Sequence, residues 1–378
     1  MTETGDVKVG IVGLGVMGLG IAQVFAAAGH PVVVTDAYPP ARETAAARLR
    51  AALTPRVAFG KMTAGVRDAL LARVSVAPSV AGLAGCAMVI EAIAENIAAK
   101  QALFAGLEAV LAPDAVLATN TSSLSVAAIA SGLKHPDRLL GLHFFNPAPA
   151  MRLVELVAAP ATSVVALALA RDLTEAAGKQ VVTCADRPGF IVNRCARPFY
   201  GEALAMLEEG VRPQAVDAAM RAAGYRLGPF ALIDLIGADI NLAASEGLAT
   251  AMANHPRYHV FQALRDQVQR GNLGRKTGSG FVTGQPDDPT TGADDSIVLR
   301  IEATLANEAA TLLAEGGVTA EATDKALRLG LNFPRGPFES ARRWGLPRIR
   351  AELIRLERRA PEHLKTRYTI SPALGAMI

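Results

Sequence analysis

Short apolar runs alternate with longer amphipathic stretches over the first half of the chain. Apolar runs bounded by glycine, proline or aspartate are typical of buried strands, and Ala- and Leu-rich stretches of a dozen residues are typical of helices. The predicted strands cover residues 7–12, 32–36, 87–93, 115–119, 139–145, 153–157 and 179–184. Helices such as residues 97–111 and 163–177 separate most of them. This alternation predicts a parallel sheet covered on both faces.

The pattern becomes helical after Pro188. Apolar side chains recur at intervals of four residues along one predicted helix face, at Ile191, Cys195, Phe199, Ala203 and Leu207. A polar segment at residues 283–296, TGQPDDPTTGADDS, interrupts this helical region. We therefore predict an α/β domain followed by helical domains, with boundaries at residues 1–185, 186–283 and 297–378 and a linker at 284–296.

The two helical domains resemble each other in sequence. EALAMLEEGVRPQAVDAAM at 202–220 and EAATLLAEGGVTAEATDKAL at 308–327 are each followed by Gly-Pro-Phe. At offsets of 106 to 108 residues, Glu202 corresponds to Glu308, Asp217 to Asp324 and Phe230 to Phe338. The shared order predicts a duplication, and chance similarity between Ala-rich helices is the alternative.

Composition excludes several classes of protein. The 378 residues are 51% hydrophobic and 19% charged, with a net charge of +3, so we expect no nucleic-acid partner. The three cysteines, Cys86, Cys184 and Cys195, have no metal-ligand spacing, so we expect no metal site. Neither a secretion signal nor an apolar run of membrane-spanning length is present, so we expect a cytoplasmic protein without membrane contact.

The loop GLGVMG carries the first candidate site. Gly13, Gly15 and Gly18 follow a predicted strand directly and open a predicted helix, which is the arrangement that binds a dinucleotide pyrophosphate. Asp36 ends the next strand, where a carboxylate accepts hydrogen bonds from ribose hydroxyls and repels a 2′-phosphate. The loop therefore predicts NAD rather than NADP. A purely structural glycine turn is the alternative.

The stretch GLHFFNP carries the second candidate site. His143 ends one predicted strand, and Glu155 lies within the next, LVELV. A neutral imidazole accepts a hydroxyl proton near pH 7, and a carboxylate on its other nitrogen orients the ring and stabilises its charge. If the two strands are neighbours, the two side chains meet. A core histidine beside a surface glutamate is the alternative.

The chain resembles the L-3-hydroxyacyl-CoA dehydrogenase family over essentially its whole length. The motifs that carry the resemblance are GLGVMGLGIA at 13–22, VIEAIAEN at 89–96, NTSSLSV at 120–126, GLHFFNP at 141–147, LVELV at 153–157, PGFIVNR at 188–194 and LGRKTGSGF at 273–281. The resemblance implies oxidation of a (3S)-3-hydroxyacyl-CoA to the 3-oxoacyl-CoA with NAD, in β-oxidation of fatty acids or aromatic-degradation products.

The same resemblance implies roles for single residues. His143 is then the base, Glu155 orients it, Ser122 binds near the substrate oxygen, and Asn193 reaches the thioester side. The implied cofactor contacts are Glu95, Lys100, Ser122, Asn146 and Lys276. Other interpretations remain open: Ser122 and Ser123 as caps of a helix at 125–131, Asn193 as the cap of the helix after Pro188, and Lys276 as a solvated lysine.

Several points stay open at the level of sequence. GIVGLGVMG also resembles the 3-hydroxyisobutyrate dehydrogenase group, and a non-catalytic, crystallin-like protein is a further alternative. The lysine that contacts the CoA phosphate in this family has no counterpart here, and Arg48, Arg50, Arg56 and Lys61 are the candidates to replace it. The sequence does not indicate the length of the substrate's acyl chain. The second helical domain has SIVLRIEA in place of GFIVNR, so the chain is either a homodimer or a monomer with an internal pseudo-dimer.

Overall fold

A computed structural model describes residues 7–284 and 292–375 of the chain. The chain divides into two units, Met1–Arg187 and Pro188–Ile378. Most of the predicted linker, residues 285–291, lies outside the described residues, whereas residues 292–296 are exposed. None of the helices in the described part of the chain is long and apolar enough to cross a membrane.

A sheet of eight strands forms the centre of the first unit within the described residues. The strands are β1 (Val9–Val12), β2 (Val32–Thr35), β3 (Val74–Val76), β4 (Met88–Glu91), β5 (Val116–Thr119), β6 (Leu139–Phe144), β7 (Leu153–Ala158) and β8 (Gln180–Ala185). They lie in the order β3-β2-β1-β4-β5-β6-β7-β8. The first six therefore have the strand order of a Rossmann fold, which binds dinucleotides at the carboxyl ends of its strands.

The predicted parallel sheet contains one antiparallel pair of strands, which the sequence pattern did not indicate. β6 and β7 are antiparallel, while every other neighbouring pair is parallel. Only residues 145–152 connect β6 to β7, and a parallel crossover needs a dozen residues or more. The sequence analysis also missed β3, because this edge strand has three residues and two of them are exposed.

Helices pack on the sheet, and several of them contribute to a hydrophobic core of the first unit. The helices are α1 (Val16–Ala27), α2 (Pro39–Ala58), α3 (Ala64–Ala72), α4 (Ile97–Glu108), α5 (Val126–Ala130) and α6 (Val164–Ala176). Ile11 of β1, Phe25 of α1 and Leu142 of β6 are among the fully buried residues of this core. Each such side chain stabilises the fold by about 1.5–3 kcal/mol through burial.

The described part of the second unit is helical. Its helices are α7 (Val192–Cys195), α8 (Arg197–Glu208), α9 (Pro213–Ala222), α10 (Pro229–Ile236), α11 (Ala238–Ala251), α12 (Gln262–Gln269), α13 (Asp295–Ala314), α14 (Ala320–Leu331), α15 (Pro337–Trp344) and α16 (Leu346–Arg359). Helix α13 packs against α8, α15 and α16. Its residues from 297 to 310 are buried on every side, as expected for a helix in the middle of a core.

The two halves of the second unit, residues 188–284 and 292–375, contain matching helix pairs. Helix α10 has 8 residues and α11 has 14, and α15 and α16 have the same two lengths. A glycine with positive φ joins each pair, Gly237 at 107° and Gly345 at 81°. Both helix pairs begin at the Gly-Pro-Phe sequence, so the sequence correspondence coincides with a structural one.

Each half supplies a fully buried glutamate that accepts hydrogen bonds from the other half. Glu308 accepts them from Arg194, Arg257 and Tyr258. Glu202 accepts them from Arg300, Arg367 and Tyr368. Arg194 and Arg300 each bind a second glutamate of the opposite half, Glu315 and Glu209 respectively. The contact between the halves is therefore reciprocal.

Candidate active site

The candidate residues of the first unit lie at one edge of the sheet. The loops after β1, β2, β4, β5 and β6 carry the glycines, Asp36, Glu95, Ser122 and Asn146. Because these strands are parallel, their carboxyl ends meet at the same edge. Antiparallel β7 begins at that edge, so Glu155 near its start is brought to the same place. Ligands of open α/β sheets bind in such a position.

The glycine loop between β1 and α1 has room for a phosphate group. A Cβ on Gly13, whose φ is +98°, would lie 2.5 Å from the main-chain oxygen of Ala92, and a Cβ on Gly18 would lie 1.7 Å from the oxygen of Gly13. Nothing lies within 4 Å of a Cβ built on Gly15. Gly15 is the N-cap of α1, and no side chain caps this helix. The open N-terminus fits the pyrophosphate of a dinucleotide.

Asp36 is held by the backbone and keeps acceptor capacity for a ligand. One carboxylate oxygen accepts the N–H of Leu14 at 2.7 Å, and the other accepts the N–H of Tyr38 at 2.8 Å. Since a carboxylate offers about four acceptor positions, two remain for ribose hydroxyls. The Arg42 guanidinium donates to the main-chain oxygen of Asp36 at 2.5 Å.

Glu95 binds the loop that carries Ser122. Its carboxylate accepts the hydroxyl of Thr121, the N–H of Ser122 at 3.1 Å, and both the N–H and hydroxyl of Ser123. Burial alone would raise the pKa of Glu95, but hydrogen bonds from Thr121 and Ser123 and the charge of Lys100 lower it. The ionised carboxylate thus fixes the exposed Ser122 segment at the end of β5.

Lys100 lies between two carboxylates, one of which the sequence analysis missed. Its side chain is 1% exposed, and its ammonium lies 2.6 Å from Glu91 and 3.3 Å from Glu95. Glu91 at the end of β4 is fully buried and also accepts the hydroxyl of Thr119. A glutamate that ends an otherwise apolar strand, as in VIE, was the available signal.

The pair formed by His143 and Glu155 is central to the site. The two residues are directly opposite each other in the register of β6 and β7, which confirms the strand pairing on which their contact depends. Nδ1 of His143 lies 2.7 Å from Oε2 of Glu155. His143 is 6% exposed and Glu155 is fully buried, so the glutamate is not a surface residue. The ring centre of Phe145 lies 4.5 Å from that of His143.

Two further residues define the ends of β5 and β6. Asn120, which the sequence analysis did not single out, accepts the main-chain N–H of Phe144 at 2.8 Å and so joins the two strand ends. Asn146 follows β6 and is exposed.

The interpretation of Ser122 and Ser123 as helix caps is wrong, because the side chain of Ser125 caps α5.

Asn193 and Lys276 belong to the second unit. Asn193 lies within α7, whose N-cap is Ile191, so the interpretation of Asn193 as a helix cap is wrong. The ammonium of Lys276 lies 2.6 Å from the carboxylate of Asp239, an ion pair next to Gly237. Lys276 is therefore paired rather than merely solvated.

Family models match nearly the whole chain. The model described as "3-hydroxyacyl-CoA dehydrogenase, NAD binding domain" matches residues 8–187, and the model of the C-terminal domain matches residues 189–284 and 297–377. The chain belongs to the 3-hydroxyacyl-CoA dehydrogenase family. Its first domain is the NAD-binding domain of that family, in agreement with the cofactor predicted from the glycine loop and Asp36.

Individual relatives agree with this assignment. The chain is 44% identical over 274 residues to 3-hydroxyadipyl-CoA dehydrogenase of Escherichia coli, a match that covers 72% of this chain and 58% of the relative. It is 37% identical to 3-hydroxybutyryl-CoA dehydrogenase of Clostridioides difficile, covering 73% and 98%. The crystal structure of 3-hydroxybutyryl-CoA dehydrogenase from E. coli K12 superposes with a TM-score of 0.92 at 31% identity and covers 98% of both chains.

Proposed function

We propose that the chain oxidises the 3-hydroxyl group of a (3S)-3-hydroxyacyl-CoA to a ketone, with NAD as the acceptor. The observation that carries the proposal is the His143–Glu155 pair, which lies at the same sheet edge as the glycine loop. Family membership supports the reaction class. When bound, NAD supplies the acceptor for the hydrogen and electron pair that leave C3.

His143 acts as the general base in this proposal. Glu155 binds Nδ1, so Nε2 is the ring atom that takes the proton of the substrate hydroxyl. The imidazolium that results lies 2.7 Å from a fully buried carboxylate, and this contact offsets the cost of forming a charge at a site with little access to water. The ring of Phe145 limits the movement of the imidazole.

Ser122 and Asn193 bind the substrate, Ser122 at the oxygen on C3 and Asn193 on the thioester side. Glu95 holds the Ser122 segment through the main chain of the loop. Lys100 is almost fully buried, so its proposed role is indirect. Its ammonium holds the carboxylate of Glu95, which in turn binds the loop of Ser122 and Ser123. Gly13, Gly15, Gly18, Asp36, Asn146 and Lys276 complete the proposed cofactor contacts.

The substrate class proposed is a short-chain 3-hydroxyacyl-CoA. The relatives named for hydroxyadipyl-CoA and hydroxybutyryl-CoA support this size. We leave the CoA phosphates without assigned ligands; among the candidates on α2, Arg50 already pairs with Asp68. We further propose a cytoplasmic location, which the three free, buried cysteines support. The oligomeric state proposed is a monomer whose two helical halves replace a pair of subunits.

The test is NADH formation from a panel of (3S)-3-hydroxyacyl-CoAs and free 3-hydroxy acids. The panel contains 3-hydroxybutyryl-, 3-hydroxyhexanoyl- and 3-hydroxyadipyl-CoA. We expect turnover of the CoA esters only. Turnover restricted to free acids would instead indicate the 3-hydroxyisobutyrate type, and NAD binding without turnover would indicate a non-catalytic protein.

The His143→Ala variant tests the base. We expect kcat to fall about 10²–10⁴-fold, because a positioned general base contributes that much, while NAD affinity measured by calorimetry stays close to the wild-type value. His135→Ala is the matched control, since His135 is an exposed histidine of the same unit. Near-normal kcat in His143→Ala would overturn the assignment.

A further inference from the structure

Arg197, the first residue of α8, is a partly buried arginine whose partners are uncharged. Its Nε donates to the main-chain oxygen of Asn193 at 3.0 Å, and its Nη1 donates to the hydroxyl of Ser245 at 2.9 Å. The guanidinium carbon lies 4.9 Å from the ring centre of Tyr200. Within residues 7–284 and 292–375, no aspartate or glutamate forms an ion pair with Arg197.

Other buried arginines of the same unit have carboxylate partners. A buried glutamate pairs with each of Arg194, Arg257, Arg300 and Arg367. Burial lowers the pKa of Arg197, which lacks such a partner. A charge that is removed from water without a counterion costs free energy, so an anion bound beside Arg197 would stabilise the folded unit.

A small cavity within the second unit has Arg197 in its wall. Arg257, Arg367, Ser245 and His259 line it as well, and no aspartate or glutamate of the described chain does so. The space inside it is about 20 Å³. A single water molecule needs about 10–15 Å³ by the same measure, so the cavity holds one particle of about that size. A phosphate or a carboxylate group is too large for it.

Several N–H groups of the three arginines lack an acceptor. The Nη2 groups of Arg197 and Arg367 form no hydrogen bond with residues 7–284 or 292–375. The Nε of Arg257 is buried and likewise has no partner among those residues. A Cβ on Gly201 of α8 would lie 2.4 Å from Nη2 of Arg367, so a glycine in the cavity wall admits this guanidinium. Because a guanidinium only donates hydrogen bonds, its partner in the cavity is an acceptor.

The electrostatics of the cavity favour an anion over a water molecule. Burial and the charges of Arg367 and His363 lower the pKa of His259, which indicates a positive potential at the cavity wall and leaves this ring neutral at pH 7. A water molecule would accept hydrogen bonds from the arginines but would leave the charge of Arg197 uncompensated. An anion does both.

We propose that this cavity binds a monovalent anion of a single atom, such as chloride, between Arg197, Arg257 and Arg367. The ion is a structural ligand. It compensates Arg197 next to two arginines that bind Glu308 and Glu202 and so join the halves of the second unit. The proposal depends neither on the cofactor nor on the proposed dehydrogenase reaction.

The first test compares urea unfolding of the full chain in sodium chloride and in sodium gluconate at equal ionic strength, since gluconate is too large for the cavity. The response of Arg197→Met measures the general effects of the two salts. Relative to this variant, we expect the unfolding equilibrium constant of the wild type to fall about 10-fold when about 0.2 M gluconate is replaced by chloride, which corresponds to chloride at about ten times its dissociation constant. Arg270→Met, at an arginine that is 64% exposed, responds as the wild type does.

A second measurement uses the wild-type protein alone and does not depend on the folding of any variant. In crystals soaked with sodium bromide, whose anion scatters anomalously, we expect an anomalous difference peak in the cavity within hydrogen-bonding distance of Nη2 of Arg197. Absence of this peak would overturn the proposal, because a water molecule would then occupy the cavity. An equal response of the wild type and Arg197→Met to chloride would also overturn it, even with a bromide peak, which would then mark binding at crystal concentration only.

Discussion

Glu155 has no exposed surface, and an ionised carboxylate in such a position is costly unless a partner compensates it. His143 is that partner at 2.7 Å. Burial, together with the negative charges of Glu155 and Asp186, holds the pKa of Cys184 well above its usual range, so this thiol stays protonated and inert. The buried polar groups around β7 therefore serve the histidine rather than a second reactive centre.

The Glu155→Gln variant separates the charge of this residue from its hydrogen bond. Glutamine still contacts the imidazole but does not stabilise the imidazolium, so we expect kcat to fall about 10²-fold or more. The rate–pH profile should shift as well, because the variant lacks the charge that stabilises the imidazolium. Glu175→Gln, at a partly exposed glutamate of α6, is the control. A wild-type profile in Glu155→Gln would make Glu155 a structural residue only.

Asp36 determines the preference for NAD in our proposal. In Asp36→Ala, two acceptors for the ribose hydroxyls disappear, and the repulsion of a 2′-phosphate disappears with them. Arg42, which lies against the main-chain oxygen of Asp36, then provides a positive charge near that phosphate. We expect the ratio of kcat/KM for NAD over NADP to fall by about two orders of magnitude, at about 1.5–3 kcal/mol for each lost charged hydrogen bond. Equal kcat/KM for both cofactors in the wild type would contradict the prediction.

Some of these site residues could be predicted from the sequence because their contacts are local or lie between adjacent strands. The glycine loop follows β1 directly, and His143 meets Glu155 across one pair of neighbouring strands. The contacts of Glu91 and Asn120 could not be predicted, since their partners are on α4 and β6 and no spacing along the chain indicates them. The sequence likewise did not indicate that the two carboxylate oxygens of Asp36 accept the main-chain N–H groups of Leu14 and Tyr38.

At the scale of elements, the direction of β7 decides whether the proposed catalytic pair, His143 and Glu155, forms. Buried strands of either direction have similar apolar patterns, so the pattern could not show that β6 and β7 are antiparallel. The short connection at residues 145–152 contained that information. A shift of the pairing by one residue would place Glu155 on the opposite face from His143, so the register is as important as the side chains.

Asp217 and Asp324 fasten equivalent helix starts in the two halves of the second unit. Asp217 accepts the N–H groups of Phe230 and Ala231 at the start of α10, and Asp324 accepts those of Phe338 and Glu339 at the start of α15. A Cβ on Gly228 would lie 2.3 Å from the carboxylate of Asp217, which explains the glycine before the proline. Burial raises the pKa of both aspartates from 3.8 to about 6 and outweighs these hydrogen bonds.

The raised pKa values predict how stability depends on pH. Between about pH 4 and 6 the folded protein holds protons on these carboxyls that the unfolded chain has lost, so the free energy of unfolding falls as pH rises. The contribution of one such aspartate is at most about 3 kcal/mol. We expect the free energy of unfolding of Asp217→Asn, measured with urea between pH 4 and 7, to fall less with rising pH than that of the wild type. Asp324→Asn should behave in the same way. A difference from wild type that is constant over this range would contradict the raised pKa.

At the scale of the whole molecule, the two halves differ at the position of Asn193. With an offset of 106 residues, Leu299 corresponds to Asn193 and Arg300 to Arg194. Both arginines bind the buried glutamate of the opposite half. The arginine thus occurs on both sides of the contact, whereas the asparagine, which we propose binds substrate, occurs only in the first half. We propose on this basis that the second half arose by duplication and replaces a partner subunit.

A chain that ends at residue 284 tests this proposal. This truncated chain lacks α13, so the apolar face of α8 is uncovered, and Arg194 and Glu202 lose their partners in the second half. Breaking a buried ion pair on one side costs about 3–5 kcal/mol, which a second copy of the truncated chain avoids only by supplying the missing partners. We therefore expect the truncated chain to be dimeric or insoluble, as measured by light scattering after size-exclusion chromatography. If it is dimeric, Arg194→Met should convert it to monomer or aggregate, whereas Arg270→Met should leave the dimer intact. A soluble, active and strictly monomeric truncated chain would show that the second half does not stand in for a subunit.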